Sequence, residues 1–107
     1  MELNISNIFA TRLRFARKVK KLSQEKLGIL AGIDESSASA RMNQYERGKH
    51  TPDVLMASQI AKILEVPLSF FYAPTDDLAE LNRIFYNLDQ AKKDELLSFA
   101  KQLGQNT

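Results

Sequence analysis

The sequence predicts an all-α protein, and three observations carry that prediction. Apolar residues recur at spacings of three and four along most of the chain. Ser, Thr, Asp and Gly punctuate the pattern where helix caps are needed. No alternation of apolar and polar residues runs long enough for a strand, except that Glu2–Ile5 suits a short extended arm.

The first helix is expected near residues 8–20. Ile8, Phe9, Leu13, Ala16 and Val19 form its stripe, with Arg12, Arg14, Arg17, Lys18, Lys20 and Lys21 on the other faces and Ser6 or Asn7 as cap. Ser23 caps a second helix over 24–31, which turns Leu27, Leu30 and Ala31 inward and stops at Gly32. Asp34 caps a third over 35–47, ended by Gly48; Ala38, Met42 and Tyr45 share its inner side. Its outer side presents Ser36, Ser39, Ala40, Asn43, Gln44 and Arg47, with Arg41 at the edge. A fourth helix over 52–64 takes Pro52 at its first position under a Thr51 cap and has Leu55, Ala57, Ile60, Ala61, Ile63 and Leu64 as its apolar face. Pro67 opens a short fifth helix over 67–72, whose Phe70, Phe71 and Tyr72 belong to the core, and Pro74 ends it.

Two more helices follow. Thr75 caps Asp76–Asn87, with Leu78, Leu81, Ile84, Phe85 and Leu88 on a stripe. Asp89 caps Gln90–Leu103, with Leu96, Leu97, Phe99, Ala100 and Leu103 apolar, and Gln105-Asn106-Thr107 are left as a loose end. The expected organisation is a domain over residues 1–74 and a helical extension over 75–107.

Composition narrows the function classes. A chain of 107 residues, 44% hydrophobic and 26% charged, holds one globular domain. Its apolar runs are too short to span a bilayer, so no membrane partner is expected and the cytoplasm is the expected location. With no cysteine and one histidine, neither a disulfide nor a metal site is expected, and no cofactor. No nucleophile–base pair or phosphate-cradling loop is visible, so the chain does not read as an enzyme. Residues 1–52 hold ten Lys/Arg against five Asp/Glu (+5), and residues 53–107 hold five against eight (−3). Only the first half is suited to facing a polyanion.

The stretch Leu22–Pro52 is the informative one. Two short helices meet at a glycine turn, and the second has a polar outer face. A helix-turn-helix places such a helix in the major groove, about 12 Å wide, while its partner braces on the backbone. A polar helix facing water is the alternative reading of the same pattern.

The run Arg12-Leu13-Arg14, Leu22-Ser23-Gln24-Glu25-Lys26-Leu27, Ala31-Gly32-Ile33, Tyr45-Glu46-Arg47-Gly48-Lys49 and Thr51-Pro52 resembles the phage-repressor/Cro-type (XRE-type) helix-turn-helix family. The later run Ile60–Phe71 is similar to that family's fourth and fifth helices, so the resemblance covers about residues 8–73. It implies a five-helix lambda-repressor-like DNA-binding domain, here with two additional C-terminal helices. It implies that Ser39, Ala40 and Gln44 face bases, with Arg41 and Asn43 beside base edges or phosphates. Gln24 resembles a glutamine that contacts a phosphate and supports the recognition helix, and Arg47, Lys49 and His50 fall in a loop that grips the backbone. Arg12 and Glu46 resemble a structural salt bridge between helices one and three. Three departures stand out: Lys21 where glycine is common, Gly28 where alanine is common, and about one extra helical turn between Gly32 and Glu46, expected near Asp34–Ala38.

The function this implies is a transcriptional regulator, repressor-type and of phage or prophage character, that binds a double-stranded DNA operator as a homodimer. The stripes of residues 75–107 are the expected dimerisation element, their packing back on the same chain being the alternative. An antitoxin or other protein-interaction module on the same fold is the second reading, and no small-molecule effector is expected.

Overall fold

The computed structural model describes residues 4–105, and among them it contains six α-helices, one 3-10 helix and no strand. The helices are α1 (Ile5–Val19), α2 (Gln24–Leu30), α3 (Glu35–Glu46), α4 (Val54–Leu64), α5 (Asp76–Asn87) and α6 (Gln90–Gly104), with the 3-10 helix Leu68–Tyr72 between α4 and α5. The expected elements are therefore present within a few residues, with two revised starts. Helix α1 begins at Ile5 under Asn4, whose side chain accepts from the Asn7 N–H, so neither Ser6 nor Asn7 is the cap. The expected arm over Glu2–Ile5 thus ends in a cap and a first helical residue, while Glu2 and Leu3 lie outside the described residues, as do Asn106 and Thr107 of the expected loose end. Asp53 rather than Thr51 caps α4, accepting from the Met56 N–H at 2.8 Å, and Pro52 lies buried just before the helix.

Ser23, Asp34, Thr75 and Asp89 cap the helices at which the sequence places them. Each supplies an oxygen to a first-turn N–H that has no partner inside the helix. Gly32 (φ +95°) and Gly48 (φ +72°) close α2 and α3 in the left-handed region, where a side chain is disfavoured. Lys21 (φ 57°) closes α1 in the same way, returning its N–H to Lys18 O while Leu22 N–H reaches Arg17 O. This is the position at which the resembling sequences often carry glycine, and lysine holds it at a conformational cost of about 1 kcal/mol.

The core gathers Phe9, Leu13 and Ala16 of α1, Leu27 and Ala31 around α2, Ala38 and Met42 of α3, and Ala57, Ile60 and Leu64 of α4. Phe70 and Phe71 seal one side, the Phe71 ring lying 4.7 Å from that of Phe9. Leu30 and Leu55, expected inside, face outward at 49% and 69% exposure, because Ala31 and Ala57 take the inner positions. Helices α2 and α3 make the most extensive contact, crossing at Gly28 and Ala38. A Cβ on Gly28 would stand 2.8 Å from Ala38 Cβ and 3.0 Å from its carbonyl oxygen. The turn between them, Ala31–Asp34, is tight, with Ile33 N–H donating to Gly28 O at 2.9 Å. Over the stretch between Gly32 and Glu46, where the resemblance implies about one extra helical turn, the structure has this tight turn followed by α3, a single helix of 12 residues.

Beyond the core, α5 packs on the 3-10 helix through Ala79, whereas α6 buries none of its residues. The chain is elongated as a result. Its radius of gyration is 15.5 Å, against about 13 Å for a compact domain of this length.

Two substitutions test this packing in urea unfolding. Gly28→Ala is expected to cost about 1–3 kcal/mol by forcing α2 and α3 apart. Lys21→Gly is expected to stabilise by up to about 1 kcal/mol by relieving the left-handed lysine.

Candidate nucleic-acid interface

The face that could meet DNA is built around the end of α3. Glu46, its last residue, is 2% exposed. Its carboxylate receives Arg17 Nε and Nη2 of α1, at 2.5 and 2.9 Å, and the Gln24 amide of α2 at 3.2 Å. Arg14 Nη1 donates to the Glu46 main-chain carbonyl, and Arg17 Nη1 to Leu22 O at 2.9 Å. Three helices are thus tied at one buried charge. The hydrogen bond that Arg17 donates to Glu46 raises the Arg17 pKa further above its already high value, so the guanidinium stays charged throughout the ordinary pH range.

The expected Arg12–Glu46 pair is not formed, and this corrects the sequence-based assignment. Arg12 is buried as expected of a structural residue, but its Nε and Nη2 donate to Ala73 O and its Nη1 to Asp76 Oδ1 at 2.7 Å. It joins α1 to the segment entering α5, while Arg17 takes the carboxylate. Arg12 and Arg17 flank the same apolar stripe, and only the packed arrangement separates their partners. Arg14 and Arg17 are the residues that sequence reasoning missed; their adjacency to Leu13 and Ala16 was the available signal.

Held in this way, α3 turns Ser39, Ala40, Arg41 and Gln44 to solvent, with Asn43 half-buried beside them. Ala40, Gln44 and Arg47 follow at spacings of four and three, opposite the buried Met42. Gln24 directs its side-chain amide inward, donating to Asn43 Oδ1 (3.3 Å) as well as to Glu46. Its geometry in this structure is that of a brace. Tyr45 is buried with Met42 and is not a solvent-facing ring.

The loop after α3 is set by the turn at Gly48. Lys49 N–H returns to Gln44 O at 3.0 Å, which leaves the Arg47, Lys49 and His50 side chains exposed. The other side of the loop rests on α1: the Ser6 and Thr51 hydroxyls are 2.7 Å apart, and a Cβ on Gly48 would meet Asn7 Oδ1 at 2.6 Å. At the opposite end of α3, Asp34 accepts from the Ser36 hydroxyl and N–H. Those bonds hold its carboxyl below the usual range. A lowered folded value means that the cap contributes above the unfolded carboxylate range and is lost as pH falls through the folded one.

Lys18, Lys21, Lys26, Arg41, Arg47 and Lys49 carry no ion pair among the described residues, whereas Lys20 is held 3.0 Å from Glu65. The described residues hold no group of three or more His, Cys, Asp or Glu able to bind a metal. None of their helices is long and apolar enough to cross a membrane.

Comparison with known proteins is consistent with this geometry. A helix-turn-helix family model matches residues 13–71. Proteins described as uncharacterized HTH-type transcriptional regulators, from Sinorhizobium medicae and from Rhizobium meliloti, are each 37% identical over 68 residues. Those matches take in 62% of this chain but 46% of each relative, so the chain spans about half the length of the curated relatives it matches. The crystal structure of the transcriptional regulator BswR superposes with a TM-score of 0.82 at 47% identity, covering 87% of this chain and 92% of that one.

The buried Arg12 and the half-buried Arg17 should separate in urea unfolding. Glu46→Ala leaves Arg17 without its partner and is expected to cost about 3–5 kcal/mol. Asp76→Ala removes a carboxylate whose side chain is 97% exposed and is expected to change stability very little. Equal losses in the two variants would contradict the assignment of Arg17 as the anchor.

Proposed function

The chain belongs to the helix-turn-helix family, and we propose that it binds double-stranded DNA sequence-specifically as a repressor-type transcriptional regulator. One observation carries this reading: α3 is pinned at both ends, by the Gly28–Ala38 crossing and by Glu46, while its outer side is polar and followed by Arg47 and Lys49, which carry no ion pair among the described residues. A rigid helix with that face suits a major groove.

In this reading Ser39, Ala40, Arg41, Asn43 and Gln44 face base edges. Gln and Asn suit adenine in bidentate contacts, Arg suits guanine, and the Ala40 methyl suits the thymine methyl. Arg47, Lys49 and His50 meet phosphates from the loop, and Gln24, whose side-chain amide is committed to Asn43 and Glu46, adds a phosphate contact through its main-chain N–H at the head of α2.

The protein acts as a homodimer, residues 1–74 reading DNA and residues 75–107 joining the copies. Leu78, Leu81, Leu97, Phe99 and Leu103 are each between 43% and 58% exposed, and α6 has no buried residue of its own. So much solvated apolar surface on two adjoining helices supports an interface. Two copies also supply the two half-sites that a single small module needs for specificity. The same surface favours the second reading, an antitoxin-like module that captures a partner protein.

Binding to a preferred duplex and to an unrelated one, each across a salt series, separates the roles. Gln44→Ala is expected to cost about 1–3 kcal/mol on the preferred duplex alone and to relax one base pair. Lys49→Ala is expected to weaken both duplexes evenly and lower the salt slope by about one. An even loss for Gln44→Ala, or a sequence-dependent loss for Lys49→Ala, would overturn the assignment concerned.

A further inference from the structure

A cleft of about 420 Å3 opens between the C-terminal part of α1, the end of α4 and α5. Phe15 and Val19 form one wall and Ile84 and Leu88 the other. Phe15 and Val19 are 49% and 52% exposed, although α1 is the central helix of the body. Two cations also line the cleft, Lys20 and Arg83, each with a single acidic partner: Glu65 at 3.0 Å and Glu80 at 2.7 Å. Arg83 Nε is buried and has no hydrogen-bond partner among the described residues. A buried guanidinium N–H without an acceptor is costly, while the Arg83 side chain as a whole stays 34% exposed on the cleft, where its outer part is open to an incoming anion.

The volume lies within the roughly 300–1,000 Å3 of small-molecule sites. The apolar walls suit a hydrocarbon body, and the arginine suits a carboxylate through charge-assisted hydrogen bonds. We propose that this cleft binds a medium-chain carboxylate, with its head on Arg83 and Lys20 and its chain between the Phe15–Val19 and Ile84–Leu88 walls. The site is separate from the DNA-facing side of α3 and does not rest on the DNA-binding reading. It revises the expectation of no small-molecule effector. It also gives such an effector a route to the rest of the molecule, because α5 meets the end of α4 here, with Asn87 Nδ2 donating to Glu65 O at 3.1 Å. A ligand in the cleft ties the body to α5, and it stabilises the folded chain by mass action.

Titration of the full nitrogen-15-labelled chain with sodium octanoate, and separately with 1-octanol, tests the proposal. Octanoate is expected to give saturable amide shifts confined to residues 15–20, 64–66 and 83–88, and to raise the unfolding midpoint by several degrees. Octanol is expected to bind roughly tenfold more weakly or worse, because it lacks the charged head. Arg83→Gln should abolish the preference for octanoate. Ile84→Trp, which fills the cleft and leaves the arginine in place, should abolish binding of both ligands. No saturable shift, shifts confined to residues 92–102, equal binding of the two ligands, or octanoate affinity retained in either variant would overturn the site.

Discussion

The position of α3 depends on one buried carboxylate. Burying an ionised Glu is unfavourable unless a partner of matched geometry and further hydrogen bonds compensate for the lost water. Glu46 has both, in the two-point contact with Arg17 and in the amide of Gln24. That requirement is directional. Only one setting of α3 brings Glu46 to Arg17 at its C-terminal end while Ala38 touches the bare backbone of Gly28 near its start. The outward direction of Ala40, Gln44 and Arg47 follows from those two contacts, because side chains four and three residues apart share a helix face. The loop after α3 inherits the same frame through the turn at Gly48 and its contact with the first turn of α1.

Much of this was legible in the sequence because it is written in local signals. Ser23, Asp34, Thr75 and Asp89 act within their own first turns, and Gly32 and Gly48 within their own turns, so neighbouring residues suffice to place them. The misplaced caps arose where two suitable residues stood close together. Thr51 and Asp53 flank Pro52, and the Thr51 hydroxyl is engaged by Ser6, a residue 45 positions away. Asn4 carries no such signal, because the apolar stripe that marks α1 strengthens only from Ile8. The exchange of partners between Arg12 and Arg17 has the same origin. Burial of Arg12 and Glu46 could be anticipated, but which arginine meets the carboxylate depends on how α1 crosses α3 and on where Ala73 and Asp76 arrive. Gly28 carried a signal in the other direction: a residue smaller than the usual alanine marks an unusually close crossing.

The C-terminal helices show a different limit. Periodicity identifies an apolar stripe but says nothing of what covers it: α5 packs on the 3-10 helix with Ala79 as its one buried residue and leaves Leu78, Leu81 and Ile84 exposed, while α6 buries none of its residues. Their exposed leucines and Phe99 are comparable in character to core residues. The 3-10 helix is the intermediate case, since Phe70 and Phe71 face the core and the segment still supports α5 through Ala79. Burial is thus uneven along the chain: the elements up to the 3-10 helix bury one another, α5 adds Ala79 to that core, and α6 leaves its apolar residues in solvent.

Selection of bound duplexes from a random library, near 0.15 M salt where nonspecific attraction is weakened, tests the central claim most directly. A two-fold symmetric site whose half-sites lie about one helical turn apart is expected to be enriched. A folded protein that enriches no sequence would contradict it, leaving α3 without a code to read and the exposed stripes of α5 and α6 as the working surface of the molecule.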